Sequence, residues 1–310
     1  MMSFATTYYK YCSPARIDVL RNMEIRYTQP VCFNDPFETV PAAKNGIHTL
    51  PYTQRQKAYD ELRSSKKIDL DQKKGRQRIA FANERALLHL RKFAAHEIGV
   101  LSLSKRWDNQ LMWASYACDH KGFVLGFFPY FSVPFGDALL LTEPQEVKYQ
   151  ERRPEIDLFP YVKNINQASY EFNFIDAISK YQAEIFFTKS SIWKHEEEVR
   201  LLCTFSDAYH RKIDVAPYPI YLRTIHEHEL ASIIVGINSS DELAEELRQI
   251  SKQRKISYYR AFKDAATYSI GLWDAHTAEQ KMQAFGDKIH IGYRHSRKNS
   301  SSGRGFGTPC

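Results

Sequence analysis

Trp193-Lys194-His195-Glu196-Glu197-Glu198-Val199-Arg200-Leu201-Leu202 is the run on which the reading of this chain turns. Taken as a strand over 196–205, its period of two puts Glu196, Glu198 and Arg200 on one face and Glu197, Val199 and Leu201 on the other. An arginine beside two carboxylates favours their charged forms. Carboxyl groups two residues apart on a strand lie about 7 Å apart, room enough to divide labour at a reacting centre. The apolar continuation through Leu201, Leu202, Cys203 and Phe205 makes the strand a central one. Glu198, Glu196 and Arg200 are therefore the candidate catalytic residues. The alternative is a ladder of charges with a structural role only.

Working outward, Tyr8–Cys12 reads as a strand, and Ser13-Pro14 opens a short helix to Asn22. A second strand is expected at 24–28, followed by a turn at Asn34-Asp35-Pro36. Helix-favouring residues fill 54–96, with Gly75 as the break. Strands follow at 100–104, 123–128 and 146–149, and Asp108 is the expected cap of a helix ending near Cys118. The apolar spacing of Tyr170, Phe174, Ile178, Tyr181 and Ile185 predicts one long helix over 166–189. After a strand at 232–236, Ser239-Ser240-Asp241-Glu242 matches a capping box opening a helix to Arg254, and a strand at 257–262 closes the pattern. Strands and helices mix without a regular βαβ repeat. The expected class is α+β, a mixed sheet core with peripheral helices. One domain over 1–290 is expected, carrying a basic helical insertion at 54–96, with a mobile basic tail at 291–310.

Other polar groups suit ligand binding. Ser102 and Ser104 share the strand face opposite Leu101 and Leu103, where two hydroxyls can bond a ligand. Trp113 and Tyr116 fall on one helical face and suit stacking on a planar ring. Lys10 and Tyr11 offer a cation and an aromatic on opposite faces of the first strand, and Asn34 stands at a turn with its side chain free to bind.

Composition narrows the classes. The five cysteines are odd in number and scattered, which argues for reduced thiols and against a disulfide framework. No metal is expected, because Cys118 and His120 lack a second pair at ligand spacing. The start of the chain lacks a signal-peptide pattern, and the longest uncharged stretch is broken by Pro129 and Pro134, so a cytoplasmic protein without a membrane span is expected. P-loop, dinucleotide glycine, nucleophile-elbow and zinc-protease motifs are missing from the sequence. The net charge is +7, and the tail from Lys288 onward carries five of those charges. A second basic concentration, twelve Lys or Arg between Arg55 and Lys92, suits nucleic acid or a solvated helical face.

The order of Tyr9-Lys10-Tyr11, Phe33-Asn34-Asp35-Pro36-Phe37-Glu38, Leu101-Ser102-Leu103-Ser104, Met112-Trp113-x-x-Tyr116, His120-Lys121-Gly122-Phe123 and Trp193-x-x-Glu196-x-Glu198-x-Arg200 resembles a bacterial domain-of-unknown-function family, DUF2971. A second similarity is to the ADP-ribosyltransferase fold, carried by Lys10, Ser102-Leu103-Ser104 and Glu196-Glu197-Glu198 in that order. This second resemblance implies NAD as substrate. Glu198 would bond the nicotinamide ribose and stabilise an oxocarbenium-like transition state, and Glu196 would orient or deprotonate the acceptor. Ser102 and Ser104 would shape the nicotinamide pocket, with Lys10 or an arginine on the pyrophosphate. The implied activity is ADP-ribosyl transfer to a macromolecule, nucleic acid (RNA or DNA) ahead of protein, or NAD hydrolysis. Toxins and phage-defence effectors use such chemistry, and an inhibitory partner protein is the corresponding partner class. The competing expectation is a non-catalytic nucleic-acid-binding or regulatory module.

Overall fold

A computed structural model describes residues 7–64, 73–129, 143–163, 171–205 and 211–274. The tail at 291–310 and the start of the expected helix at 166–170 lie outside the described residues. The chain is mixed α+β and packs as two compact units interleaved along the sequence. The first unit comprises 1–23, 106–128 and 226–310, the second 24–105 and 129–225.

In the first unit Phe123–Phe127 is buried at every position, as an uninterrupted apolar run in a sheet interior should be. It pairs antiparallel with Tyr8–Cys12 on one side and with Leu230–Val235 on the other. Ser257–Lys263 lies parallel to Leu230–Val235, and Ile270–Asp274, a strand the sequence did not announce, adds antiparallel at the edge. The parallel pair is joined by helix Asp241–Arg254, capped by the Ser240 hydroxyl accepting from the Leu243 N–H. Ser239 does not cap; its hydroxyl donates to the carbonyls of Lys121 and Gly122. The core gathers Tyr11, Met112, Trp113, Ala117, Val124, Ile234, Ala261 and Ile270. Helix Gln110–Tyr116 starts from Asn109, whose side chain accepts from the N–H groups of Leu111 and Met112. The expected cap, Asp108, is instead held by the Arg106 guanidinium.

In the second unit Glu198–Thr204 pairs antiparallel with Ile98–Ser104 over seven positions and with Gln145–Glu146 on its other edge. Strand Glu24–Tyr27 pairs with Ile220–Thr224, which also pairs with Arg211–Ile213. Helices Tyr52–Arg63 and Gly75–Glu97 fill the expected helical stretch. The second of these buries Ala86, Leu87, Leu90 and Ala94 against Ile98, Val100 and Leu202, so it is part of the core and not only a basic surface. The long helix expected at 166–189 is shorter, Phe174–Phe186. Past Phe187 the chain becomes a strand, Thr188–Ser190, parallel to Lys148–Gln150. Apolar spacing could not place that boundary, because Phe186 and Phe187 are buried whichever element holds them.

Gly122 sits where no side chain fits: a Cβ there would lie 1.9 Å from the Cys12 carbonyl oxygen. Replacing Gly122 with Ala is expected to destabilise the first unit by about 1–3 kcal/mol, the usual cost of overpacking. Gly75→Ala, with nothing within 4 Å of its Cβ but a φ of +52°, should cost only about 1 kcal/mol. Urea unfolding of both variants checks this, and equal losses would contradict it.

Candidate active site

The site is built from the second unit. Strand Glu198–Thr204 begins two residues later than the sequence suggests: Glu196 ends a short 3-10 turn and Glu197 adopts a left-handed φ of 43°. Strict alternation therefore fails at the start of the run. The turn nevertheless brings Glu196 beside Glu198, and Ser104 donates its hydroxyl to the Glu196 carbonyl at 2.8 Å.

Arg200 is fully buried and its donors are met in a fork. Nε donates to Glu198 Oε1 at 2.7 Å and Nη2 to Glu198 Oε2 at 2.8 Å. Nη2 also reaches Glu38 Oε2 at 2.6 Å, and Nη1 donates to the Phe186 carbonyl at 2.6 Å, where a cation meets the end of a helix. Lys189 completes the cluster. Its Nζ lies 2.7 Å from Glu38, 2.5 Å from Glu196 and 3.3 Å from Glu198, and 5.0 Å over the Trp193 ring. Three carboxyl groups and two cationic side chains are thus withdrawn from water together. Burial pushes the Glu198 carboxyl up, but the Arg200 charge and hydrogen bonds, Lys189 and the Ser102 hydroxyl outweigh it, and the group is held at about 2. The carboxylates likewise raise Lys189 and Arg200 against the opposing effect of burial. The Glu198 N–H donates to the Tyr149 hydroxyl at 2.8 Å, and burial beside these acids pushes that phenol up to about 12.

Of the residues read from the sequence, Glu196, Glu198, Arg200, Ser102 and Ser104 come together. Ser104 and Ser102 stand opposite Glu198 and Arg200 in the ladder. Asn34 is exposed, while its neighbour Asp35 closes the turn by accepting from the Phe37 N–H. That turn delivers Glu38, which sequence reasoning quoted but did not place in the site. Lys189 was missed because the helical spacing extended over it; its signal was a Thr-Lys-Ser alternation seven residues before Glu196. In the first unit, Lys10 is half-buried and Tyr116 packs against the core. Tyr11 and Trp113 are buried in that core, the Tyr11 hydroxyl donating to the Arg106 carbonyl and the indole N–H to that of Trp107. Trp113 therefore has no surface left for a ligand.

Lys189 also lines a cleft of about 260 Å³, with Thr39, Arg152, Arg153, Thr188 and Ser190 among its walls. The Arg153 guanidinium lies 5.0 Å over the Phe37 ring. Behind Pro41, another wall residue, Arg91 donates to the Pro41 carbonyl, and its buried Nε has no partner among the described residues. Glu151 and Glu184 are the acids on the rim. Such a lining suits phosphate oxygens. Among the described residues no group of His, Cys, Asp or Glu is arranged to hold a metal ion, and no helix is long and apolar enough to cross a membrane.

Two outcomes follow from the buried cluster. Arg200→Met leaves Glu38 and Glu198 with Lys189 as their remaining cation and should cost about 3–5 kcal/mol in denaturant unfolding. A carboxyl held near 2 when folded, against about 4.3 when unfolded, adds stability above the higher value that disappears as pH falls toward the lower. The stability gap between the native chain and Glu198→Gln should accordingly shrink as pH falls from about 5 to 2; a gap independent of pH would contradict the ionised, paired carboxylate.

No curated protein and no solved structure matches the chain. Residues 112–201 match a family model described as "Protein of unknown function (DUF2971)", a span that holds Trp113, Tyr116, His120, Lys189, Trp193 and the Glu196–Glu198–Arg200 run, and the resemblance read from the sequence is to this family.

Proposed function

We propose that the chain is an NAD-consuming, ADP-ribosyltransferase-like enzyme whose centre is the Glu196–Glu198–Lys189–Arg200 cluster and its adjoining basic cleft. The observation that carries this reading is a cluster of five buried ionisable side chains that meets, through Lys189, a cleft lined by arginines and hydroxyls. Buried ion pairs seldom add more stability than apolar residues of the same volume, so a cluster of this size beside a cleft is better explained by chemistry than by stability.

In the proposed reaction the bond between nicotinamide and ribose C1′ breaks, its electron pair leaves with nicotinamide, and positive charge develops on the ribose. An acceptor oxygen or nitrogen, or water, then bonds to C1′ and gives up its proton. Glu198, held at about 2, stays ionised at neutral pH and suits stabilising that charge better than taking a proton. Glu196, fixed by Lys189, is the candidate for orienting the acceptor. Arg152 and Arg153 supply the pyrophosphate contacts. At about 260 Å³ the cleft is smaller than a typical ligand site of roughly 300–1,000 Å³ and suits only a sugar-phosphate portion of NAD.

A second reading, a nucleic-acid-binding module, is favoured by helix Gly75–Glu97, where Arg85 and Lys92 flank His89 closely enough to lower its pKa together with burial. Arg78, Arg85 and Lys92 share a helical stripe of like charge.

Incubation with NAD labelled in its adenylate portion, with and without cellular RNA, DNA and protein, separates these readings. The enzyme reading expects free ADP-ribose or a labelled macromolecule from the native chain, and at least a tenfold rise in KM for NAD in Arg153→Ala, which lies outside the buried cluster. Complete recovery of NAD from folded protein in every mixture sinks it. Salt-sensitive RNA or DNA binding lost in Arg85→Ala/Lys92→Ala, without NAD loss, would establish the second reading.

A further inference from the structure

The first unit holds a separate cavity of about 630 Å³, lined by Gln110, His120, Asn238, Lys263, Thr267 and Tyr268 among others. Its most unusual wall is the turn after helix Gln110–Tyr116. Three successive non-glycine residues, Cys118, Asp119 and His120, have φ of 50°, 54° and 64°. Left-handed backbone is unfavourable for an L-residue at each position, so such a run persists only where surrounding contacts over-determine it. Those contacts are present. The Asp119 and His120 N–H groups return to the carbonyls of Ala114 and Trp113, and the Asn238 backbone N–H donates to the His120 carbonyl. The Asn238 side chain bonds the Asp119 carbonyl, and a Cβ on Gly236 would meet the His120 oxygen at 2.2 Å.

The turn holds the His120 ring stacked 5.9 Å from Trp113 with an interplanar angle of 6°. Its Nδ1 is buried and has no hydrogen-bond partner among the described residues. A buried nitrogen without a partner is unfavourable unless something supplies its bond, and His120 forms part of the cavity wall. Burial lowers the His120 pKa, with Lys263 adding to that effect against Asp119, so the ring is a neutral hydrogen-bonding group. Lys263 has no ion-pair partner among the described residues. Asp264, also in the cavity wall, accepts through Oδ1 from the N–H groups of Ala266 and Thr267 and from the Thr267 hydroxyl. Tyr268 stands 99% exposed at the rim, an aromatic with nothing stacked on it among the described residues.

We propose that this cavity binds a nucleoside monophosphate, its base against Tyr268 and His120 and its phosphate at Lys263. A planar heteroaromatic with polar edges matches the tyrosine and the neutral imidazole, while the amides of Gln110 and Asn238 donate to the Tyr268 and Asp119 carbonyls. The lone ammonium answers one phosphate, and the volume falls within the range of small-molecule sites. The proposal does not depend on the NAD reading.

The test is titration of the full chain with AMP, GMP, CMP and UMP, with adenosine and inorganic phosphate as separate arms, followed by calorimetry and by the His120 imidazole nitrogen resonances. At least one nucleotide should bind and shift those resonances. Lys263→Ala and His120→Phe, the latter keeping the stack on Trp113, should each weaken binding about tenfold with the thermal midpoint retained. Arg153→Ala, in the other unit, should leave the nucleotide-induced shift of the His120 resonances unchanged. Silence of the His120 resonances at millimolar nucleotide overturns the proposal. So does phosphate alone shifting those resonances as strongly as any nucleotide, or loss of the shift in Arg153→Ala. Failure of the NAD assay with nucleotide binding intact would reject the enzyme reading alone.

Discussion

Arg200 carries a charge that cannot be neutralised and holds it where no water reaches. Everything around it follows from the need to answer that charge. Glu198 does so in a fork from the same strand, Glu38 from a turn 162 residues away, and the carbonyl of Phe186 from the end of a helix. A guanidinium is planar and presents its donors in fixed directions, so these partners are constrained in angle as well as distance. The strand, the turn and the helix end thus have only a narrow range of positions compatible with one another.

Lys189 extends the same constraint outward. It offsets the surplus of carboxyl groups and joins the buried cluster to the cleft of Arg152 and Arg153. Electrostatically the arrangement has two layers, an inner one fully satisfied and an outer one whose arginines face solvent. With Glu198 held at about 2, the paired inner layer suits keeping charge in place near neutral pH and ill suits proton exchange through that carboxyl. That distinction separates Glu198 from the general-base role that two neighbouring glutamates would otherwise suggest.

The two units use opposite means to shape a cavity. In the second, the wall is positioned by charge. In the first, it is positioned by backbone: the left-handed run of Cys118, Asp119 and His120 survives because Trp113, Gly122, Gly236 and Asn238 leave it no other conformation. Asn109 at the helix start shows the same economy of local chemistry. It caps by accepting two N–H bonds, while the residue chosen from the sequence, Asp108, is drawn away by Arg106 two positions earlier. Capping preference among Asp and Asn is nearly even, so a competing arginine decides it.

The sequence by itself determined the elements whose pattern is local: the buried run of Phe123–Phe127, the serine-capped helix Asp241–Arg254, the strand carrying Glu198 and Arg200, and the strand carrying Ser102 and Ser104. Periodicity and capping act over a few residues, so they are legible without a fold. Only the tertiary structure decided that Lys189 leaves the helix for a strand and that Glu38 reaches Arg200 from a distant turn. It also decided that Trp113 turns inward and that His120 stands in a left-handed turn. These depend on contacts between segments far apart in the chain, where the energy of pairing a buried charge or filling a core outweighs the small preferences of each residue for helix, strand or turn.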